Sequence, residues 1–168
     1  MTFEIIEKLH ILRFGELMSV YEDTNIENGA NTYPTVSKGE QILQAEQDFY
    51  RYLELFFNTD GSFYVLCNID CKYVSALRME PYKDGLLLEA LETKPSARRK
   101  GYGEAVLKYG LQIAEKRTSK VYSHILKSNT PSLYLHHKCG FSRVSDIAVY
   151  IDGSVDKNAY TYCFSFIK

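Results

Sequence analysis

The stretch that most constrains this chain is residues 86–106, LLLEALETKPSARRKGYGEAV. A strongly apolar run, Leu86 to Leu91, predicts a buried strand. Lys94-Pro95 ends it, and the basic cluster Arg98-Arg99-Lys100 leads into Gly101-Tyr102-Gly103. Glu104 then sits where the first turn of a helix would start, and Val106, Leu107, Leu111 and Ile113 recur at helical spacing. Strand, Gly-rich basic turn, helix is the order. Such a turn presents free backbone N–H groups at the positive end of the helix macrodipole. Two glycines let an anion approach the main chain closely. The stretch therefore predicts a phosphate or pyrophosphate site.

The remaining elements predict a single α/β domain. Residues 3–11 read as a first strand and 12–21 as a helix. Residues 22–37, rich in Asn, Gly, Thr and Pro, read as a long loop. Long loops without structure of their own are often functional. Residues 38–57 form an amphipathic helix. Strands follow at 63–67, 73–80 and 86–93, then a helix from 103 to 117 and a strand at 121–127. That strand–helix–strand unit predicts a parallel right-handed crossover. Pro131 opens another helix, which Gly140 stops. Strands at 141–151 and 160–167 close the chain. The count is a mixed sheet of about seven strands with about four helices, without internal repeats or an interdomain linker.

Composition narrows the class. A chain of 168 residues with 45% hydrophobic content can build one real core. The formal net charge of −1 argues against general electrostatic binding of nucleic acid. No apolar run reaches the roughly 20 residues that span a membrane, and MTFEIIEKLH lacks signal-peptide character. Cys67, Cys71, Cys139 and Cys163 lack metal-ligand spacing. They read as reduced thiols of a cytoplasmic protein, with no metal expected.

Which phosphate ligand fits? A P-loop would need Gly-Lys-Ser/Thr, which is missing. A dinucleotide fingerprint would need a small residue where Val106 stands and an acid about 20 residues on, where Lys120-Val121-Tyr122 stand. What fits is Arg98-x-x-Gly101-x-Gly103, together with Asn129, Ser132, Leu135, Gly140 and Phe141 in the block NTPSLYLHHKCGF. The chain thus resembles the GNAT superfamily of N-acetyltransferases, whose acyl-CoA signature is R/Q-x-x-G-x-G/A.

The resemblance implies a GNAT fold, with residues 62–141 as the acyl-CoA core and 1–60 as a variable acceptor side. It implies acetyl transfer from acetyl-CoA to a primary amine of a small molecule or a protein. The turn Arg98, Arg99, Lys100, Gly101, Tyr102, Gly103 and Glu104 would hold the pyrophosphate. Leu91, Glu92 and Thr93 would offer strand-edge backbone groups, and Asn129 would touch the pantetheine. The family's tyrosine acid stands four residues before the glycine; here that position is His136. Histidine can serve as a general acid near neutral pH, or His136 can merely hydrogen-bond near the pantetheine. Tyr134, two residues earlier, is the alternative acid. Glu89 is the expected base, with a structural pairing to Arg98 or Arg78 as its alternative. His124 and His137 read as packing or surface residues. A second reading of the whole chain is a non-catalytic acyl-CoA sensor; nucleotide binding by the turn is a third. Glu22, Asp23, Glu27 and Tyr33 hint at a cationic acceptor. The aromatic last strand leaves a homodimer open.

Overall fold

The computed structural model describes residues 1–166. Strand β1 (Thr2–Ile6) leads through a short 3-10 turn into three helices, α1 (Phe14–Val20), α2 (Glu22–Thr32) and α3 (Lys38–Asn58). An antiparallel meander follows: β2 (Phe63–Ile69), β3 (Lys72–Tyr82) and β4 (Gly85–Thr93). Helix α4 (Tyr102–Glu115) crosses to β5 (Lys120–Leu126), and α5 (Thr130–Lys138) follows. The chain ends in β6 (Ser142–Ser145), β7 (Ala148–Val149), β8 (Val155–Asp156) and β9 (Ala159–Ser165). Seven strands form one mixed sheet in the order β1-β2-β3-β4-β5-β9-β6. Only β4 and β5 are parallel, as the intervening helix requires. This element order and strand arrangement match the mixed seven-stranded sheet expected from the sequence.

The sheet is buried on both faces. Along β2, Phe63, Val65 and Cys67 join the core under α4, while Tyr64 and Leu66 join the core under α1 and α3. That period of two explains why β2 reads as a continuous apolar run rather than an alternation. Helix α4 comes close to the sheet because Gly110 has no side chain; a Cβ there would lie 3.1 Å from Met79 Cε. Helix α3 starts with a capping box between Ser37 and Glu40.

Three expectations need correction. Residues 22–37 are not a loop throughout, because Glu22–Thr32 is helix α2. Asn, Gly and Thr are poor helix formers, but tertiary docking overrides them. Gly29 packs so tightly on α3 that an added Cβ would sit 2.5 Å from the Gln41 carbonyl oxygen. Gln41 Nε2 in turn donates to the Tyr33 and Val36 carbonyls just beyond α2. Among the described residues the α-helix count is therefore five. Residues 141–151 are not one strand: β6 slips register between Arg143 and Ser145, and β7 pairs with β8 in a separate ribbon. Here Thr161 Oγ1 takes the Ile147 carbonyl, which a continuous strand would offer to its neighbour. The first strand stops at Ile6, not at residue 11.

The last strand, β9, lies between β5 and β6, with both edges engaged. Its expected end at Ile167 lies outside the described residues. No helix among the described residues is long and apolar enough to cross a membrane.

Candidate active site

The site begins where two strands part. β4 and β5 pair only from Leu86↔Val121 to Leu88↔Ser123. Beyond Leu88, the edge of β4 facing β5 has no strand partner. On its other edge β4 carries a bulge: Ala76 pairs with Glu92 and Arg78 with Glu89, so Leu77 opposes both Ala90 and Leu91. Ala90 takes a φ of 49°, in the left-handed region. Tyr21 fixes this kink, its hydroxyl donating to the Ala90 carbonyl at 2.9 Å. In a regular strand Glu89 and Glu92 would face opposite sides. The bulge puts both on the α2–α3 side, where Glu89 meets Arg78 at 3.0 Å and Glu92 accepts from Thr24 Oγ1 at 2.6 Å.

The Gly-rich turn stands at the open end of this gap. Gly101 precedes α4 with φ 83°, and no side chain caps the helix. The first-turn amides are therefore free to meet an anion. Gly103 matters for closeness instead, because a Cβ there would lie 3.1 Å from Thr93 Oγ1. Arg99 and Lys100 are exposed. Arg98 is placed differently from its expected phosphate role: its Nε donates to the Thr93 carbonyl and its guanidinium pairs with Asp23 at 2.7 Å. It staples the end of β4 to α2. Glu104 also turns away from the gap. Hydrogen bonds from Lys108 and Lys138 hold its carboxyl down at about 2, and the Lys138 bond ties α4 to α5.

Helix α5 supplies the opposite wall. Asn129 Oδ1 accepts from the Ser132 amide at 3.1 Å, so its side chain serves as the helix cap. Tyr134 is 70% exposed and lies outside the cleft. His136 is buried, its ring edge-on to Phe141, and it lines the cleft. Its Nδ1 lies 2.9 Å from the Ser132 carbonyl oxygen. A carbonyl only accepts, so Nδ1 carries the proton. Burial pushes the imidazole pKa below its ordinary value. The ring is then neutral near pH 7, and the buried Nε2, without a partner, is a lone pair rather than a donor.

These walls enclose a cleft of about 630 Å³ that runs from the parted strands to the start of α5. His124, which the sequence assigned to packing or the surface, also lines it, with both ring nitrogens buried and unpartnered. A second cavity, of about 440 Å³, opens beside the first between α2, α3 and the β3–β4 pair. The two share Thr24, Ala90 and Glu92. Sequence reasoning missed Tyr21 and Thr24 as parts of this site; Arg78 is expected there only as one of two pairing partners for Glu89, and the structure has that pair. Of the residues that hinted at a cationic acceptor, Tyr33 does line the second cavity. Exposed Glu22, Asp23 and Glu27 stay outside the cavity, whose α2 wall includes Thr24, Asn28 and Thr32. Burial raises the Glu92 carboxyl pKa above its ordinary value, against the lowering hydrogen bond from Thr24.

Comparisons with known proteins agree with this architecture. No curated protein sequence matches the chain. Among solved structures, PaiA N-acetyltransferase from Thermoplasma acidophilum, in complex with coenzyme A, superposes with a TM-score of 0.66 at 16% identity, over 99% of this chain and 100% of that one. A ribosomal-protein-alanine N-acetyltransferase from Brucella melitensis gives 0.67 at 17% identity, over 97% and 99%. A GNAT family acetyltransferase from Elizabethkingia anophelis with acetyl-CoA bound gives 0.58 at 15%, over 69% and 82%. At these identities the likeness is one of fold. The sequence model of the acetyltransferase (GNAT) family matches residues 24–141, from the start of α2 through the cleft to Phe141, and the chain belongs to that family.

Proposed function

We propose that this protein transfers an acetyl group from acetyl-CoA to a primary amine by direct attack of the amine on the thioester. The observation that carries the reading is the parting of β4 from β5 beside an uncapped, glycine-led helix start. Structures of the same fold with coenzyme A or acetyl-CoA bound support the choice of co-substrate.

The chain's own groups divide the work as follows. The amides of Gly101, Tyr102 and Gly103 hold the diphosphate, and exposed Arg99 and Lys100 add charge. Arg98 positions the turn through Asp23 and Thr93. The free edge from Leu91 to Thr93 receives the pantetheine arm as an added strand. A backbone N–H of this edge faces the thioester oxygen as negative charge grows there, and preorganised donors lower that barrier. Asn129 keeps α5 in register beside the arm. The acceptor arrives as an ammonium, since alkylamines have pKa values of about 10.4. Glu89 takes one proton, the nitrogen lone pair attacks the carbonyl carbon, and the C–S bond breaks. The second nitrogen-bound proton leaves with the thiolate or through water.

His136 fits a wall better than an acid. Its one proton is held by the Ser132 carbonyl, so it offers the departing sulfur no donor. Tyr134, out in solvent, is no better placed. A thiol-release assay with acetyl-CoA and a panel of primary amines tests the proposal, alongside calorimetry with CoA. Turnover with at least one amine is the expected result. Tight CoA binding with no turnover across the panel would favour the acyl-CoA sensor instead.

A further inference from the structure

The 440 Å³ cavity is lined by one guanidinium, Arg78, and by the carboxylates Glu92 and Asp48, and it borders a wider imbalance of charge that includes Glu80 and Glu89. That guanidinium stands among three carboxylates. Glu89 meets it at 3.0 Å, Glu80 accepts from the Tyr52 hydroxyl at 3.2 Å, and Glu92 holds only the Thr24 hydroxyl. Arg98, the nearest other cation on this side, is paired to Asp23. Burial raises the Glu80 pKa above its ordinary value, and the neighbouring Glu89 charge adds to this. Glu92 is raised too, chiefly by burial. Arg78 and Arg98 lie close enough to act on these carboxyls, yet their ion pairs go to Glu89 and Asp23, so Glu80 and Glu92 form no ion pair of their own among the described residues. An arriving ammonium would supply one.

The walls say what body carries that ammonium. Phe49 and Tyr52 stand parallel on α3, 9° apart, and Tyr21 meets Phe49 edge-on at 5.5 Å. Arg78 already stands over the Tyr52 ring at 4.6 Å, so this aromatic surface suits a ring rather than a second cation. The cavity's other carboxylate, Asp48, offers no second ammonium seat. Arg51 pairs with it at 2.8 Å, and the Tyr33 hydroxyl donates to it. A linear diamine would thus find one seat occupied. A compact molecule with one ammonium and one ring finds both of its needs met.

We infer that the acceptor is a protonated arylalkylamine, its ammonium at Glu92 and its ring against Phe49 and Tyr52. This rests on the acetyl-transfer reading above, and it names the substrate class that reading leaves open. Glu92 then hands the amine toward Glu89 along the bulged strand, where the proton leaves and the nitrogen faces the gap.

Calorimetry on the full chain saturated with CoA, which blocks turnover, tests the seat directly. The probes are 2-phenylethylamine, its neutral isostere 2-phenylethanol, and 1,4-diaminobutane. The amine is expected to bind at least about tenfold tighter than either of the others, or roughly 1.4 kcal/mol. Glu92→Gln should erase the gap between amine and alcohol. Phe49→Leu should weaken the arylamine while leaving CoA affinity unchanged. The comparison of probes on the unaltered protein does not depend on either variant folding. Equal binding of amine and alcohol, or tighter binding of the diamine, would overturn the inference. Turnover of other amines with no binding of 2-phenylethylamine would overturn it while leaving acetyl transfer intact. Binding in the expected order with no thiol release from acetyl-CoA would keep the seat and reject the transfer.

Discussion

The two cavities that meet at Ala90 are made of different material. The groups that would hold the co-substrate in the cleft between β4 and β5 are mostly main chain: a strand edge left unpaired, a bulge, and the bare start of α4. The acceptor-side cavity is built from side chains, borrowed from helices that reach it through packing. Main-chain sites demand particular residues for backbone reasons, so they leave a pattern in the sequence. Side-chain cavities can be lined in many ways, so they leave little. The same contrast separates what the two regions should tolerate on mutation.

The largest expected effect is on the main-chain side. Gly103→Glu brings bulk against Thr93 Oγ1 and a negative charge to the helix start. CoA affinity should fall by about 100-fold or more, roughly 2.8 kcal/mol. Calorimetry giving unchanged affinity would break the comparison at its root. Next comes Gly29→Ala, which forces a Cβ into the Gln41 carbonyl and pushes α2 off α3. We expect a loss of about 1–3 kcal/mol in stability by denaturant unfolding. Acceptor affinity should drop, with CoA affinity near normal. Equal loss of both ligands would show that the two regions are not separable in this way.

How far the sequence reveals the molecule follows the same division. The β4–turn–α4 unit is legible because glycines, a proline and a basic run mark it. Asn129, Gly140 and Phe141 mark the start and end of α5 in the same way. Helix α2 is not legible, since its Asn, Gly and Thr residues favour loops, and only contact with α3 makes them helical. The bulge that turns Glu89 and Glu92 to one face is also hidden, because Ala90 carries no sign of its positive φ. Nor does the sequence show that Arg98 and Glu104, placed correctly in the motif, spend their charges on Asp23, Lys108 and Lys138.

A smaller effect concerns pH. Glu92 has its folded pKa raised above the unfolded one. Its contribution to stability is therefore fully present below the unfolded carboxylate pKa, and it is lost as pH rises through the folded value. Above the folded value the ionised, buried carboxylate is a burden. Glu92→Gln should raise Tm at pH 7–8 relative to the unaltered protein, and the gain should shrink toward pH 4. A gain independent of pH, or a loss, would mean that Glu92 is not held in an unfavourable charge state. Acceptor binding should weaken in the same variant, which places the burden on the side-chain cavity.

The smallest expected effect is at His136. With its proton engaged by Ser132, His136→Gln should change the maximal rate by no more than about threefold, well under the 10²–10⁴ typical of a lost acid or base. A loss above about 30-fold, with a basic limb disappearing from the pH–rate profile, would restore His136 as the proton donor.

The central claim is that main-chain groups of the turn and of the β4 edge hold acetyl-CoA in the cleft. A crystal structure with CoA bound tests it most directly. The account predicts diphosphate oxygens within hydrogen-bond reach of the Gly101–Gly103 amides, and the pantetheine amides laid along Leu91–Thr93 with the sulfur between β4 and β5. A diphosphate held elsewhere, or β4 and β5 joined by hydrogen bonds beyond Leu88, would contradict it.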